Sequence, residues 1–239
     1  MAHSEQLQYI KTVSAMLADD FENISILDIG SFDVNGTTRQ FFPNSSYTGV
    51  DLTEGPGVDV VQEGDKLDHD ENSYHISLSC ECFEHNPNWA ATFQNMYRMT
   101  KLGGVLIITC ATTGRPEHGT TRTKKEDSPG TQSLNWDYYE NVTQHDFLSK
   151  FDIESMFSDF FFLVNIQSSD LYFFGVKKHH TPIFPVKAAS IQERCILDQK
   201  ELQKFFKDRK RAEKFIPKPL RRVFRKYLFD DSRHSSVIN

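Results

Sequence analysis

Ile24-Ser25-Ile26-Leu27-Asp28-Ile29-Gly30-Ser31-Phe32-Asp33-Val34-Asn35-Gly36 is the stretch on which the reading of the fold turns. An apolar, β-branched run that stops in Asp and Gly and passes into a small polar turn is the pattern of a buried parallel strand feeding a ligand-binding loop. Gly30 lets backbone come close to a bound molecule, and Gly36 tolerates a positive φ that a residue with Cβ resists. Asp28, Ser31, Asp33 and Asn35 set polar groups along the same loop. Alone, the stretch equally fits the strand and turn of any α/β domain, so the flanking sequence decides.

Before it, residues 4–20 repeat apolar side chains at Leu7, Ile10, Val13, Met16 and Leu17, the spacing of an amphipathic helix laid on a core. After it, Ser46-Tyr47-Thr48-Gly49-Val50-Asp51-Leu52 reads as a second strand ending in an acid. In a doubly wound sheet such an acid lies beside the nucleoside pocket, where a carboxylate accepts two hydrogen bonds from a ribose diol. Asp51 is therefore the candidate ribose ligand, with Leu52 beside it. The spacing from Gly30 to Asp51, about 20 residues, also suits a dinucleotide fold and keeps an NAD enzyme open at this point. Val58 to Leu67 supplies a third strand and its turn, and Ser73 to Ser79 a fourth, followed by Cys80-Glu81-Cys82-Phe83-Glu84-His85. Asn86 and Pro87 give a helix start, Trp89, Phe93, Met96 and Tyr97 line one side of that helix, and Gly103-Gly104 is expected to end it. Val105 to Thr109 is a fully buried strand by composition.

In order and spacing, these segments resemble the class I S-adenosylmethionine (SAM)-dependent methyltransferases over residues 24–110. Met99-Thr100-Lys101-Leu102-Gly103-Gly104-Val105-Leu106 is close to the LKPGGxL stretch of that family. The resemblance implies an α/β, Rossmann-like, seven-stranded, mostly parallel sheet with an antiparallel last strand and helices on both faces. It also implies SAM as cofactor. Asp28, Gly30, Ser31, Asp33, Asn35 and Gly36 would then surround the methionine part, Asp51 and Leu52 the ribose, Glu63 and Gly64 the adenine, and Cys80 and Glu81 the transferred methyl. Phe32 and Val34 stand where second and third glycines are common in the family, and Asp33, Asn35 and Gly36 are expected to compensate. Glu63 and Asp65 equally suit solvated turn residues. An NAD dehydrogenase is disfavoured because no third glycine opens the first helix.

Ala111 to Trp136 is a long polar stretch without apolar periodicity, and such segments inside a compact domain are usually functional. Following the fifth strand at the cofactor edge, it reads as an acceptor-binding lid. Its Gly114-Arg115-Pro116-Glu117-His118-Gly119 run, with Trp136-Asp137-Tyr138-Tyr139 beyond, resembles bacterial methyltransferases of surface-polysaccharide clusters. Thr143 caps a short helix, and Phe160 to Ile166 and Asp170 to Val176 form a closing antiparallel hairpin about Ser168-Ser169.

Charge divides the chain. Residues 1–186 carry 12 Lys/Arg against 26 Asp/Glu, whereas residues 187–228 carry 14 against 5. The expected organisation is a methyltransferase domain over residues 1–180 and a basic helical C-terminal extension over residues 181–239. The acidic body argues against nucleic acid as a partner. Within the extension, Leu220, Val223, Phe224, Tyr227 and Leu228 alternate with Arg221, Arg222, Arg225 and Lys226. A helix of that kind lies on an anionic membrane surface, on an acidic partner, or on its own acidic body. The four cysteines, Cys80, Cys82, Cys110 and Cys195, form neither a disulfide framework nor a zinc set. No apolar run reaches the ~18 residues of a membrane span, and the first residues lack a signal-peptide pattern. A cytoplasmic protein, peripheral at most at the inner membrane face, is expected.

Methyl transfer from a sulfonium is an in-line displacement that a protein assists by alignment, and an oxygen acceptor must also lose a proton. His118 and His85 are the candidate bases, with Glu81 and Glu84 behind them. Each histidine has an ordinary alternative, a helix cap for His85 and an exposed loop position for His118. No metal site is expected: Glu84 and His85 are adjacent in sequence and show no third ligand. The expected activity is SAM-dependent O-methylation of a sugar or glycan-biosynthesis intermediate. The alternatives are methylation of another small molecule, an amine or a carboxylate, and a non-catalytic SAM-binding scaffold in a glycan-assembly complex. Oligomeric state is not legible.

Overall fold

The computed structural model describes residues 3–214, so the pattern from Leu220 to Leu228 lies outside the described residues. The chain forms two compact units, one running to Cys195 and one beginning at Ile196. The first unit is built on strands β1 (Ser25–Ile29), β2 (Ser46–Asp51), β3 (Val60–Val61), β4 (Tyr74–Cys80), β5 (Thr100–Ala111), β6 (Phe157–Asn165) and β7 (Asp170–Lys177). Its helices are α1 (Ser4–Leu17), α2 (Trp89–Met99), α3 (Pro129–Ser133), α4 (Gln144–Lys150), α5 (Ile153–Met156) and the opening turns of α6 (Ala188–Lys214). The described part of the second unit is the rest of α6.

The seven strands make one sheet in the order β3-β2-β1-β4-β5-β7-β6. Neighbours from β3 to β5 are parallel, and β7 runs antiparallel to both β5 and β6. This is the Rossmann-like sheet expected from the sequence. Strand residues alternate between two cores, as the period of two requires. Ile26, Ile76, Leu78 and Ile107 pack under α1 and the start of α6, with Tyr9, Ile10, Val13 and Ile191. Leu27, Ile29, Leu106 and Ile108 pack under α2 and α4, with Phe93, Met96 and Phe147. Thr143 caps α4 in a capping box with Asp146.

Two helix boundaries differ from expectation. Helix α2 starts at Trp89, because the Asn86 carbonyl oxygen Oδ1 accepts from Asn88 N (2.8 Å) and its amide donates to Thr92 (2.9 Å), which holds Asn86-Pro87 in a turn ahead of the helix. It ends at Met99 and not at the glycines. Thr100 is already extended, and its hydroxyl lies 2.7 Å from Met96 O and 2.8 Å from Ser77 Oγ. The Lys177 amine donates to Tyr97 O and Thr100 O, both at 2.8 Å, a cation at a helix C-terminus. Gly103 and Gly104 lie inside β5 instead, where Gly103 has φ +75 and a Cβ would meet Thr181 O at 2.5 Å.

Candidate active site

The C-terminal ends of β1, β2 and β4 open onto a cavity that communicates with solvent, the place where open α/β sheets bind ligands. Gly30, at φ +85, turns the chain off β1 so that its N–H and that of Ser31 both donate to Val50 O, at 2.8 and 3.2 Å. Asp28 is buried below this turn, with Tyr47 OH (2.7 Å) and Thr38 Oγ1 (3.1 Å) both donating to its Oδ2. Burial pushes its carboxyl up to about 6 in spite of those donors. Asp51 ends β2. Its Oδ2 accepts from Phe32 N (3.1 Å) and its Oδ1 from Leu52 N (2.7 Å), so both oxygens are fixed at the cavity wall; burial raises this carboxyl too.

Asp28, Gly30, Ser31, Gly36, Asp51, Leu52, Gly64, Cys80, Glu81 and His85 line this cavity. Asp33, Asn35, Glu63 and His118 do not. Asp33 Oδ1 accepts from Gly36 N at 2.6 Å and so shapes the loop from outside, while Asn35 is exposed. Strand β3 pairs over two residues only, and beyond it Glu63 turns to Lys66 at 2.5 Å. Gln62, whose N–H donates to Asp51 O at 2.9 Å, faces the cavity in its place. The lining also includes Gln6 of α1, Thr37, Cys82, Asn86 and Trp136. Gln6 is wholly buried, and its amide has no nitrogen or oxygen hydrogen-bond partner among the described residues, as is true of Ser31 Oγ. Both are polar groups that a ligand would satisfy.

The segment after β4 gathers charge. Glu81 has φ 52, and its N–H donates to Thr109 O (2.8 Å) while Thr109 Oγ1 donates to Oε1 (3.0 Å). His3 Nε2 stands 3.0 Å from Asp170 and 3.5 Å from Glu81, and Arg115 stands 3.4 Å from Asp170. Burial pulls the His3 imidazole down, but Asp170, Glu5 and Glu81 outweigh it and push it up to about 11. Burial works against the charged Glu81 as well, and the His3 imidazolium holds it well below the usual carboxylate range. Glu84, wholly buried, has no such cation at hydrogen-bond distance among the described residues. Burial first, and the Glu81 charge second, push its carboxyl up.

His85 is 4% exposed, and burial followed by the neighbouring His118 lowers it to about 3. His118, carried on the polar segment between β5 and α4, meets it ring to ring with centroids 4.9 Å apart and planes nearly perpendicular. Tyr139 closes on both imidazoles, at 5.4 and 5.0 Å. The two candidate bases, thirty-three positions apart in the chain, are therefore side by side, with His85 alone of the two on the cavity wall. The same polar segment places α3 against Asp51: a Cβ on Gly130 would overlap Asp51 Oδ1.

Residues 27–108 match the family model described as a methyltransferase domain. No curated protein matches the chain. Among solved structures, Haemonchus contortus phosphoethanolamine N-methyltransferase 2, in complex with phosphomonomethylethanolamine and S-adenosylhomocysteine, superposes with a TM-score of 0.51 at 17% identity, covering 72% of this chain and 52% of that one. The same enzyme with SAM gives 0.51 at 15% identity, again over 72% and 52%. The chain thus spans about half the length of these proteins. Burkholderia thailandensis 1,6-didemethyltoxoflavin-N1-methyltransferase gives a TM-score of 0.49 at 17% identity, over 72% of this chain and 79% of that one. The fold is the Rossmann-like methyltransferase fold. On that fold, residues 27–108 are similar to a methyltransferase domain, and the Haemonchus enzyme of the same fold was solved with SAM.

The residues present fit that cofactor. Asp51 has two oriented oxygens that suit a ribose diol, Gln62 and Gly64 on the cavity wall would border an adenine, and the Ser31 and Gln6 groups, unpaired among the described residues, would meet the amino-acid part.

Proposed function

We propose that the protein is an enzyme that transfers a methyl group from SAM to a hydroxyl oxygen of a small polar acceptor, a sugar or glycan-biosynthesis intermediate. The observation that carries the reading is one cavity lined both by Asp51, whose two oxygens are fixed by backbone N–H groups, and by His85. SAM, when bound, supplies an electrophilic methyl on a sulfonium. The chain's own residues do the rest by holding and excluding. Asp51 and the turn at Gly30 fix the donor, and the segment carrying His118, Gly130 and Trp136 covers part of the cavity. Alignment of this kind supplies up to ~7–11 kcal/mol of barrier reduction. Burial holds both imidazoles in the neutral, proton-accepting form, with His85, at about 3, the weaker base. The sugar or glycan class is supported by the resemblance of the 114–119 run to polysaccharide-cluster enzymes and by the polar covering segment. Cytoplasmic placement, with peripheral contact to anionic lipid through residues 219–229, is supported by the charge asymmetry.

Calorimetric titration with SAM and with NAD tests the cofactor, and radiolabelled methyl transfer to paired panels of sugars and amines tests the acceptor. Binding of SAM alone with label in the sugar panel is the expected result. Label confined to amines would refute O-methylation, and SAM binding without transfer to any acceptor would favour a scaffold.

A further inference from the structure

Neither Glu84 oxygen has a hydrogen-bond partner among the described residues, and the side chain is wholly buried. A carboxylate left this way is costly unless a cation joins it. Both ring nitrogens of His85 are buried and unbonded as well, as is Nε2 of His118, which lies 4.0 Å from Glu84 Oε1. On His118 the other nitrogen, Nδ1, lies 3.2 Å from Pro116 O. A carbonyl only accepts, so Nδ1 carries the proton and Nε2 turns a lone pair toward Glu84. That backbone hydrogen bond is the usual way in which a metal-binding imidazole is oriented. One ligand atom from each of Glu84, His85 and His118 lies within 4.8 Å of the other two.

Backbone makes the convergence possible. Gly119 has φ +69, and a Cβ there would come within 2.8 Å of His85 Cε1, so only glycine lets the segment bring His118 alongside. The neighbouring group of His3, Glu81 and Asp170 also has metal-like composition, but there the protonated His3 and Arg115 already provide the positive charge.

We infer that Glu84, His85 and His118 bind a divalent transition-metal ion whose open positions face the acceptor end of the SAM cavity. Two imidazoles and one carboxylate are ligands suited to zinc, iron, cobalt or manganese, and three protein ligands leave room for a substrate oxygen. The site's use in catalysis rests on the methyl-transfer reading; its binding of metal does not. With an acceptor hydroxyl on the ion, its proton passes to the non-ligating oxygen of Glu84. The acceptor oxygen's electron pair then forms the new O–C bond as the C–S bond of SAM breaks, its electrons staying on sulfur as a neutral thioether. Lewis acids lower the pKa of bound oxygen in this way. His118 is then a metal ligand, and Glu84 replaces it as the group that takes the acceptor proton.

The test is titration of the metal-stripped full-length protein with Co²⁺, followed by visible absorption, in wild type, His118→Ala and Glu84→Gln, with circular dichroism on each. Wild type is expected to develop a d–d band saturating at one equivalent. Each variant should bind at least tenfold more weakly with an unchanged dichroism spectrum, since His118 sits on a surface segment and Gln replaces an unpaired buried charge. Absence of the band, or a band that both variants keep, overturns the site. SAM titration of the same samples separates the two ideas: SAM binding without a cobalt band overturns the metal and leaves methyl transfer standing, whereas a cobalt band without SAM binding supports the metal and refutes the methyltransferase reading.

Discussion

Asp51→Ala isolates the cofactor grip. In the fold each Asp51 oxygen already accepts one backbone N–H, from Phe32 at 3.1 Å and from Leu52 at 2.7 Å, so the carboxylate is oriented before any ligand arrives. A ribose diol then adds one hydrogen bond to each oxygen. Bonds to an ionised acceptor are worth ~1.5–3 kcal/mol apiece, so losing both costs about 3–6 kcal/mol, or roughly a hundredfold to ten-thousandfold in Kd. Two features of the site select the lower end. Water refills the space left by the carboxylate, and burial already raises the Asp51 pKa, so the charged form is partly penalised before binding. A hundredfold loss is the expected figure. Isothermal titration with SAM at neutral pH measures it, with the exposed Glu54→Ala as a control for loss of a negative charge alone. Thermal unfolding of the ligand-free variant should stay within a few degrees of wild type, because removing Asp51 also removes a desolvation cost. A loss under threefold in Asp51→Ala would take the residue out of the cofactor site and would sink the assignment of the ribose end.

Asp28 gives a pH signature in the ligand-free protein. Its carboxyl lies near 6 when folded against an ordinary 3.8, so its favourable contribution is complete below about pH 4 and is lost as pH rises through 6; the stability of wild type relative to Asp28→Asn should fall by roughly 3 kcal/mol over that window, read by denaturant melts. His118→Ala should lower turnover by 10²-fold or more while SAM affinity changes less than threefold, since its ring meets His85 and does not line the cavity. Deleting residues 196–239, a cut that keeps the buried Ala188, Ile191 and Cys195, should leave SAM binding intact. It should also abolish low-salt sedimentation with anionic vesicles, an attraction of ~1 kcal/mol per basic residue; equal sedimentation of both forms would end the membrane idea.

The sheet was legible because buried parallel strands write themselves as apolar runs that stop in acids, and Asp28 and Asp51 are such stops. Local geometry was less so. Gly103-Gly104 carries the composition of a helix end, yet a threonine hydroxyl bonded to Met96 O and a lysine from a distant strand end the helix earlier. Glu63 and Gln62 are neighbours in sequence, and which of them faces the cavity depends on β3 stopping after two paired residues, a property of the partner strand. Gln6 sits in an amphipathic pattern that shows only that a helix covers the sheet; its buried amide emerges when α1 is laid across the end of β1. The pairing of His85 with His118 depends on the path of a polar segment with no periodicity, where the one local signal is the glycine after His118.

That segment also ties the two ends of the cavity together. It holds Gly130 against Asp51 and His118 against Glu84, and it is braced internally by Arg122, which reaches Glu117 at 2.7 Å and Asp137 at 2.9 Å. On the methyl-transfer reading, a ribose at Asp51 and an acceptor at His85 both border this one segment. The free energy that the first molecule spends in ordering it is not spent again by the second, and linkage makes the benefit mutual. Donor and acceptor affinities are then expected to be interdependent, and each should be measured in the presence of the other.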